Sequence, residues 1–141
     1  MKSRVLDSWP ILEWISGRSH PTEYVDKLFA EAERSRLRLL ISAMNVGEIY
    51  YFLRKHHNAT LAETWREVAG TLPVTIEVPA LDDIWNAAIL KSMFPIAYAD
   101  AFAAALARKY RCPLVTGDPE FRTVDELEID WIPRSGKPPA K

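Results

Sequence analysis

Cysteine and histidine are scarce in this chain. There is one cysteine, Cys112, and there are three histidines, His20, His56 and His57, among 141 residues. A single cysteine excludes an internal disulfide and points to the cytosol as the compartment. No histidine stands at zinc-ligand spacing from a cysteine. Cys112 has no histidine partner in view and reads as a small core residue, not a nucleophile. Also missing is any apolar run long enough to cross a bilayer, so no membrane role is expected. Met1-Lys2-Ser3-Arg4 runs into Asp7 without the apolar stretch of a signal peptide. Neither sign of charge dominates: 18 Lys and Arg stand against 19 Asp and Glu, a net charge of −1. That balance argues against tight, non-specific duplex binding. It leaves room for an enzyme that holds a short nucleic acid through metal ions and a few local cations.

The composition, 48% hydrophobic and 26% charged, is that of an ordinary globular chain. A domain of this length buries roughly two-thirds of its unfolded surface. No repeat or internal boundary interrupts it, so residues 1–132 are expected to form one domain. The remainder, 133–141, with three prolines and a glycine, reads as a flexible tail.

Short apolar runs alternate with helical patterns. Arg4 to Leu6, Arg38 to Ser42, Pro73 to Val78, Leu114 to Thr116 and Glu128 to Ile132 read as strands. Ser8 to Ile15 reads as a helix, with Ser8 as N-cap, Pro10 in the first turn and Gly17 as the stop. Thr22 to Arg36 is amphipathic, with Tyr24, Val25, Leu28, Phe29 and Ala32 on one face. Met44 to His57, Thr60 to Leu72 (capped by Asn58 or Thr60), Leu81 to Met93 and Tyr98 to Tyr110 complete the helices. Strands separated by helices imply an α/β fold with parallel pairing and right-handed crossovers. Sheets of this kind bind ligands at the carboxyl ends of their strands.

Four acids fall near that edge. Asp7 closes the first strand, although with Ser8 it also suits a helix cap. Glu48 lies in Asn45-Val46-Gly47-Glu48, which has nearly the form of a capping box. Gly47 there costs helix stability, roughly 1 kcal/mol against alanine, and implies close approach or relief of crowding. Asp118 in Thr116-Gly117-Asp118-Pro119 suits an N-cap with proline at N1, or a turn. Asp100 differs, because Tyr98-Ala99-Asp100-Ala101-Phe102 is otherwise apolar. An acid in such a helix needs a metal, a basic partner or a capping role to offset its burial. Together the four acids read as one carboxylate site for Mg²⁺ or Mn²⁺, which favour hard oxygen donors. Such ions activate water and position a phosphodiester.

At these residues the sequence resembles the PIN-domain family, specifically VapC-type toxins. The matching stretches are Val5-Leu6-Asp7-Ser8, Glu48 after the second strand, Tyr98-Ala99-Asp100-Ala101-Phe102 and Leu114-Val115-Thr116-Gly117-Asp118-Pro119-Glu120-Phe121. The resemblance implies a three-layer α/β/α sandwich around a mainly parallel sheet. It implies a Mg²⁺- or Mn²⁺-dependent endoribonuclease with Asp7, Glu48, Asp100 and Asp118 as its acidic quartet. Ser8 is then expected to hold a metal-bound water or orient Asp7, and Thr116 to do the same for Asp118. The same resemblance implies an RNA substrate, a homodimer, and a cognate antitoxin that covers the acids, often with a basic side chain. Trp9-Pro10 departs from the small apolar residues of the family, and Ala97 from its small hydroxyl residue. Two other readings fit some of the pattern. A PIN-like fold without catalysis can serve as an interaction module. A receiver-type phospho-acceptor also uses acids at strand ends, but needs a second acid beside Asp7 and a lysine after Thr116. The basic run Arg54-Lys55-His56-His57 suits a helix C-terminus, as does Arg108-Lys109-Tyr110-Arg111, and Arg122 is a candidate phosphate ligand. Trp9, Trp14, Tyr50, Tyr51 and Phe52 offer aromatic surface for a partner or for the core.

Overall fold

A computed structural model describes residues 1–133 of the chain; apart from Pro133, the expected tail lies outside the described residues. Five strands form one sheet: β1 (Lys2–Leu6), β2 (Leu37–Ser42), β3 (Thr75–Glu77), β4 (Leu114–Thr116) and β5 (Ile129–Trp131). Their order is β3-β2-β1-β4-β5, and every pairing is parallel. Six helices cover the two faces: α1 (Ser8–Ser16), α2 (Ser19–Glu33), α3 (Ala43–His56), α4 (Ala59–Val68), α5 (Leu81–Met93) and α6 (Tyr98–Tyr110). The parallel α/β arrangement is the one the alternating pattern implies, and the three-layer α/β/α sandwich is the one the family resemblance implies.

Period-two alternation sorts the strand side chains between two cores. Val5, Leu40 and Leu114 pack with Ala87, Leu90, Phe102 and Leu106 of α5 and α6. Leu6, Leu39, Ile41 and Val115 pack with Ile11, Val25, Phe29, Ile49 and Leu53 of α1, α2 and α3. The register agrees: Val5 lies opposite Leu40 and Leu114, and Leu6 opposite Ile41 and Val115. Residues paired across strands therefore face one layer together.

Several boundaries shift for identifiable reasons. α2 begins at Ser19, before the expected Thr22, because Pro21 is accommodated in the first turn. It ends at Glu33, and Ser35 then turns through a positive φ of 57°. Helix α3 begins at Ala43, capped by the Ser42 hydroxyl, which accepts from the Met44 N–H at 3.2 Å. Glu48 is therefore a full turn inside the helix, and the Asn45 capping box does not form. Asn58, one of the two expected caps, does cap α4 by accepting from the Leu61 N–H at 2.8 Å. The stretch past α4, Ala69–Thr71, tightens into a 3-10 turn. Ser8 is not the cap of α1 but its first residue. Asp7 holds the cap position, and its side chain makes no capping bond.

Gly17 stops α1 in the left-handed region at φ 77°, where glycine carries no Cβ penalty. Gly117 has a different reason. A Cβ there would lie 2.4 Å from the Trp9 ring, so the indole of α1 packs directly on the loop after β4. The departure at Trp9 is thus matched by a glycine across the sheet edge. Gly47, in contrast, would place a Cβ against nothing within 4 Å; relief of crowding does not explain it. Gly117→Ala is expected to cost about 1–3 kcal/mol through overpacking against Trp9. Urea denaturation of the two proteins measures that difference.

Candidate metal centre

Strand order reverses at β1: β2 and β3 extend to one side of it, β4 and β5 to the other. Loops leaving β1 and β4 therefore diverge and open a crevice at the carboxyl ends of the strands. Asp7 follows β1 and Asp118 follows β4 on the two sides of that crevice. The N-terminal halves of α3 and α6 bring Glu48 and Asp100 to it.

The acids meet in two overlapping groups. Asp7, Glu48 and Asp100 each place a carboxylate oxygen within 4.8 Å of the others. Asp100, Asp118 and Glu120 do the same. The sequence-selected quartet is thus brought to one place, with Asp100 common to both groups. Glu120 is a fifth acid that motif reasoning overlooked. Its signal was present in Asp118-Pro119-Glu120, because the 3-10 helix Pro119–Thr123 turns it back toward Asp100.

Hydroxyl groups hold the cluster from behind. The buried Thr116 hydroxyl donates to Asp7 Oδ2 at 3.0 Å and accepts from the Asp118 N–H at 3.0 Å. It was expected to serve Asp118; it does so through the main chain, while its donated proton goes to Asp7. The Ser8 hydroxyl donates to Glu48 Oε1 and lies 3.5 Å from Asp7 Oδ1. Asp118 also caps its 3-10 helix, accepting from the Glu120 N–H at 2.9 Å. The capping explanation for Asp118 is therefore correct, and it leaves Oδ2 outside that bond.

Asn45, read first as a cap, is fully buried and donates from Nδ2 to the Ala99 carbonyl at 3.2 Å. It ties the helix of Glu48 to the first turn of the helix of Asp100. Its Oδ1 has no hydrogen-bond partner among the described residues. Arg122, the candidate phosphate ligand, stacks over Trp131 with its guanidinium carbon 5.4 Å from the ring centroid. In the second basic run, Lys109 pairs with Asp83 at 3.1 Å.

Electrostatics mark the cluster as strained in charge. Burial raises Asp7, against the pull of the Thr116 bond, and Glu48 and Asp118 raise it further; it titrates at about 7. Asp100 is pushed up to about 8 by burial and then by Asp7, Glu48, Asp118 and Glu120. Among the described residues no lysine, arginine or histidine forms an ion pair with any of the five acids. The donors are carboxylate oxygens throughout, a set that suits a hard divalent cation.

Family comparison agrees with the architecture. Residues 4–127 match the family model of the PIN domain, and the chain belongs to that family. No curated protein matches the sequence significantly. Among solved structures the fold is similar to VapBC2 from Rickettsia felis bound to a promoter DNA fragment, with a TM-score of 0.73 at 17% identity over 93% of this chain and 99% of that one. It is similar to a toxin–antitoxin complex from Klebsiella pneumoniae, with a TM-score of 0.64 at 17% identity over 88% and 94%. VapC20 of Mycobacterium tuberculosis, a toxin that cleaves the sarcin-ricin loop, has a TM-score of 0.69 at 15% identity over 89% and 98%.

The pH behaviour of the ion-free protein follows from these carboxyls. Folded, Asp7 and Asp100 keep their protons to about pH 7 and 8; unfolded, each ionises near 3.8. The folded chain binds more protons across that window, so stability falls as pH rises through it. In EDTA the melting temperature should drop between about pH 5 and about pH 8.5. Asp100→Asn should flatten the drop and raise the melting temperature at the upper pH by about 5 °C or more. A scan of both proteins by circular dichroism checks the slope.

Proposed function

We propose that this chain is a Mg²⁺- or Mn²⁺-dependent endoribonuclease, the toxin of a toxin–antitoxin pair. The observation that carries the reading is the pair of carboxylate triads sharing Asp100, gathered at the sheet's crevice with no basic side chain among the described residues paired to them. Ionising so many carboxyls this close together, two of them buried, calls for a bound cation. Asp7, Glu48, Asp100 and Asp118 would hold it, with Glu120 at its margin. A bound ion would supply an activated water and charge stabilisation for a scissile phosphodiester.

The chain's own residues prepare that chemistry. Thr116 fixes Asp7 and, through the main chain, the position of Asp118. Ser8 fixes Glu48. Asn45 ties α3 to the first turn of α6, which favours the spacing of Glu48 and Asp100. These contacts set the carboxylates before any ligand arrives, which lowers the ordering cost of binding. The toxin–antitoxin relatives support a protein partner for this chain as well.

A homodimer accords with α5. Leu81, Trp85, Ile89 and Met93 recur at helical i+4 spacing, and each is 55–63% exposed. A continuous apolar stripe of that kind marks a protein interface. Among the described residues no single helix is long and apolar enough to cross a membrane.

Purified protein with Mn²⁺ or Mg²⁺ should cleave RNA, and EDTA should abolish cleavage. Asp100→Asn should lose at least about 100-fold in rate, on the order of 3 kcal/mol of barrier. Equal cleavage by the two proteins would sink the reading. Separately, Ile89→Glu should convert a dimer to a monomer in light scattering; a dimer that survives it would remove α5 as the interface.

A further inference from the structure

At the amino edge of the sheet, away from the carboxylates, β1 overruns its neighbour. Its pairing with β4 begins only at Val5, opposite Leu114. Pro113, just before, accepts the Val5 N–H at 3.0 Å but has no N–H to give. Lys2, Ser3 and Arg4 thus extend past β4 and wall one side of a notch of about 430 Å³, with Arg111, Cys112 and Glu128 on the other. Direction alternates along a strand, so the main chain of Ser3 points the same way as that of Val5 and opens on the notch. Its carbonyl accepts from Arg4 Nη1 at 3.0 Å. Its N–H has no strand beside it to take the proton.

Cations from separate segments gather around Ser3. Arg38 of β2 donates from Nε to the Ser3 hydroxyl at 3.2 Å, so two guanidiniums flank one residue. Both act on the neighbouring Cys112 thiol: burial pushes it up, and Arg4 and Arg38 draw it back down. Lys2 and Arg111 form no ion pair among the described residues. The acids nearby are Glu128, on the notch, and Asp130, which pairs with Arg4 at 3.5 Å. Positive charge is therefore in excess. The helix dipole accounts for Arg108 and Lys109 in the last turn of α6. It does not account for Lys2, Arg4 and Arg38, which lie on strands. Arg111 follows α6 in the left-handed region at φ 51°, a place that glycine fills without a Cβ penalty. A long cation held there breaks a local rule, and such breaks concentrate at binding sites.

Guanidinium forks match phosphate oxygens in pairs, and sheet edges form anion-binding concavities. The geometry points to an anion site at this notch, built for a small molecule that carries linked phosphates. Arg4, Arg38, Arg111 and the Ser3 N–H are its donors, with the exposed Lys2 at its mouth. Cations stand on both walls of a notch in the size range of small-ligand sites, so two linked phosphates fill it better than one. The Tyr110 ring is already flanked, with Arg38 4.9 Å and Lys109 5.8 Å from its centroid. The site therefore reads phosphate and not a base. Ser3 lies roughly 13 Å from Asp7 along β1 at about 3.3 Å per residue. The notch is separate from the acid crevice and does not rest on the nuclease reading.

The full chain in EDTA is titrated with sodium pyrophosphate in a calorimeter at about 0.1 M salt. One pyrophosphate should bind per chain, at least about tenfold tighter than inorganic phosphate. Arg111→Gly should weaken binding at least about tenfold while the melting temperature holds or rises, because it relieves the left-handed backbone. Lost affinity is then not lost folding. Arg38→Gln should weaken binding by a similar factor. Arg66→Gln, on α4 and outside the notch, should bind as the unmodified chain does. Equal weakening by Arg66→Gln, or equal affinity for pyrophosphate and sulfate, would reduce the effect to general charge attraction and overturn the site. Unchanged affinity in Arg111→Gly, or no binding by the unmodified chain, would overturn it too. So would an Arg111-dependent affinity for nucleic acid with none for pyrophosphate, which would make this edge a polyanion surface. None of these readouts requires nuclease activity.

Discussion

Parallel pairing of β1 with β2 on one side and β4 on the other governs where each acid can lie. A strand that runs parallel to both neighbours sends its carboxyl end to the same edge as theirs. Chain reversal at β1 then separates the outgoing loops and leaves room between them. Asp7 and Asp118 come to that gap as the first residue and the second residue past their strands. Neither position is adjustable without a register slip, which would exchange Val5 and Leu6 between two different cores. The hydrophobic pattern of the strands thus holds the electrostatics of the crevice in place.

Within that frame, one hydroxyl joins the two loops. Thr116 is fully buried, and its oxygen both gives a proton to Asp7 and takes one from the Asp118 main chain. A serine or alanine would fill the space less well or make neither bond. Asn45 does for α3 and α6 what Thr116 does for β1 and β4. Both are uncharged, so they organise the acids without reducing their total charge. The charge remains available to a cation or to a basic side chain of a partner.

Much of this was legible in the residues. Element order followed from periodicity, and Leu81–Met93, Tyr98–Tyr110 and Leu114–Thr116 fall where the pattern places them. Asp100 was recognisable because an acid in an apolar helix has few explanations. What stayed hidden depended on distant contacts. Asn45 looked like a cap because Ser42, the actual cap of α3, lay in a run that reads as strand. Glu120 was not singled out, because only the tight 3-10 turn after Asp118 brings it, still exposed, toward Asp100. The role of Thr116 could be guessed by type but not by partner, since Asp7 is 109 residues away in sequence. The capping accounts of Asp7 and Glu48 failed for different reasons. Asp7 takes the position without the bond, and Glu48 lies too deep in its helix.

Trp9 and Gly117 illustrate how such a site constrains its own evolution. The indole occupies the volume a side chain at 117 would need, so the two positions are coupled by size. Drift at 117 toward any larger residue is penalised unless the indole at position 9 shifts or is replaced by something smaller. The order of substitutions is thereby restricted, and a lineage that fixed tryptophan at 9 has closed most paths at 117. Because Gly117 lies directly before Asp118, this steric lock also shields the second loop of the crevice from gradual remodelling.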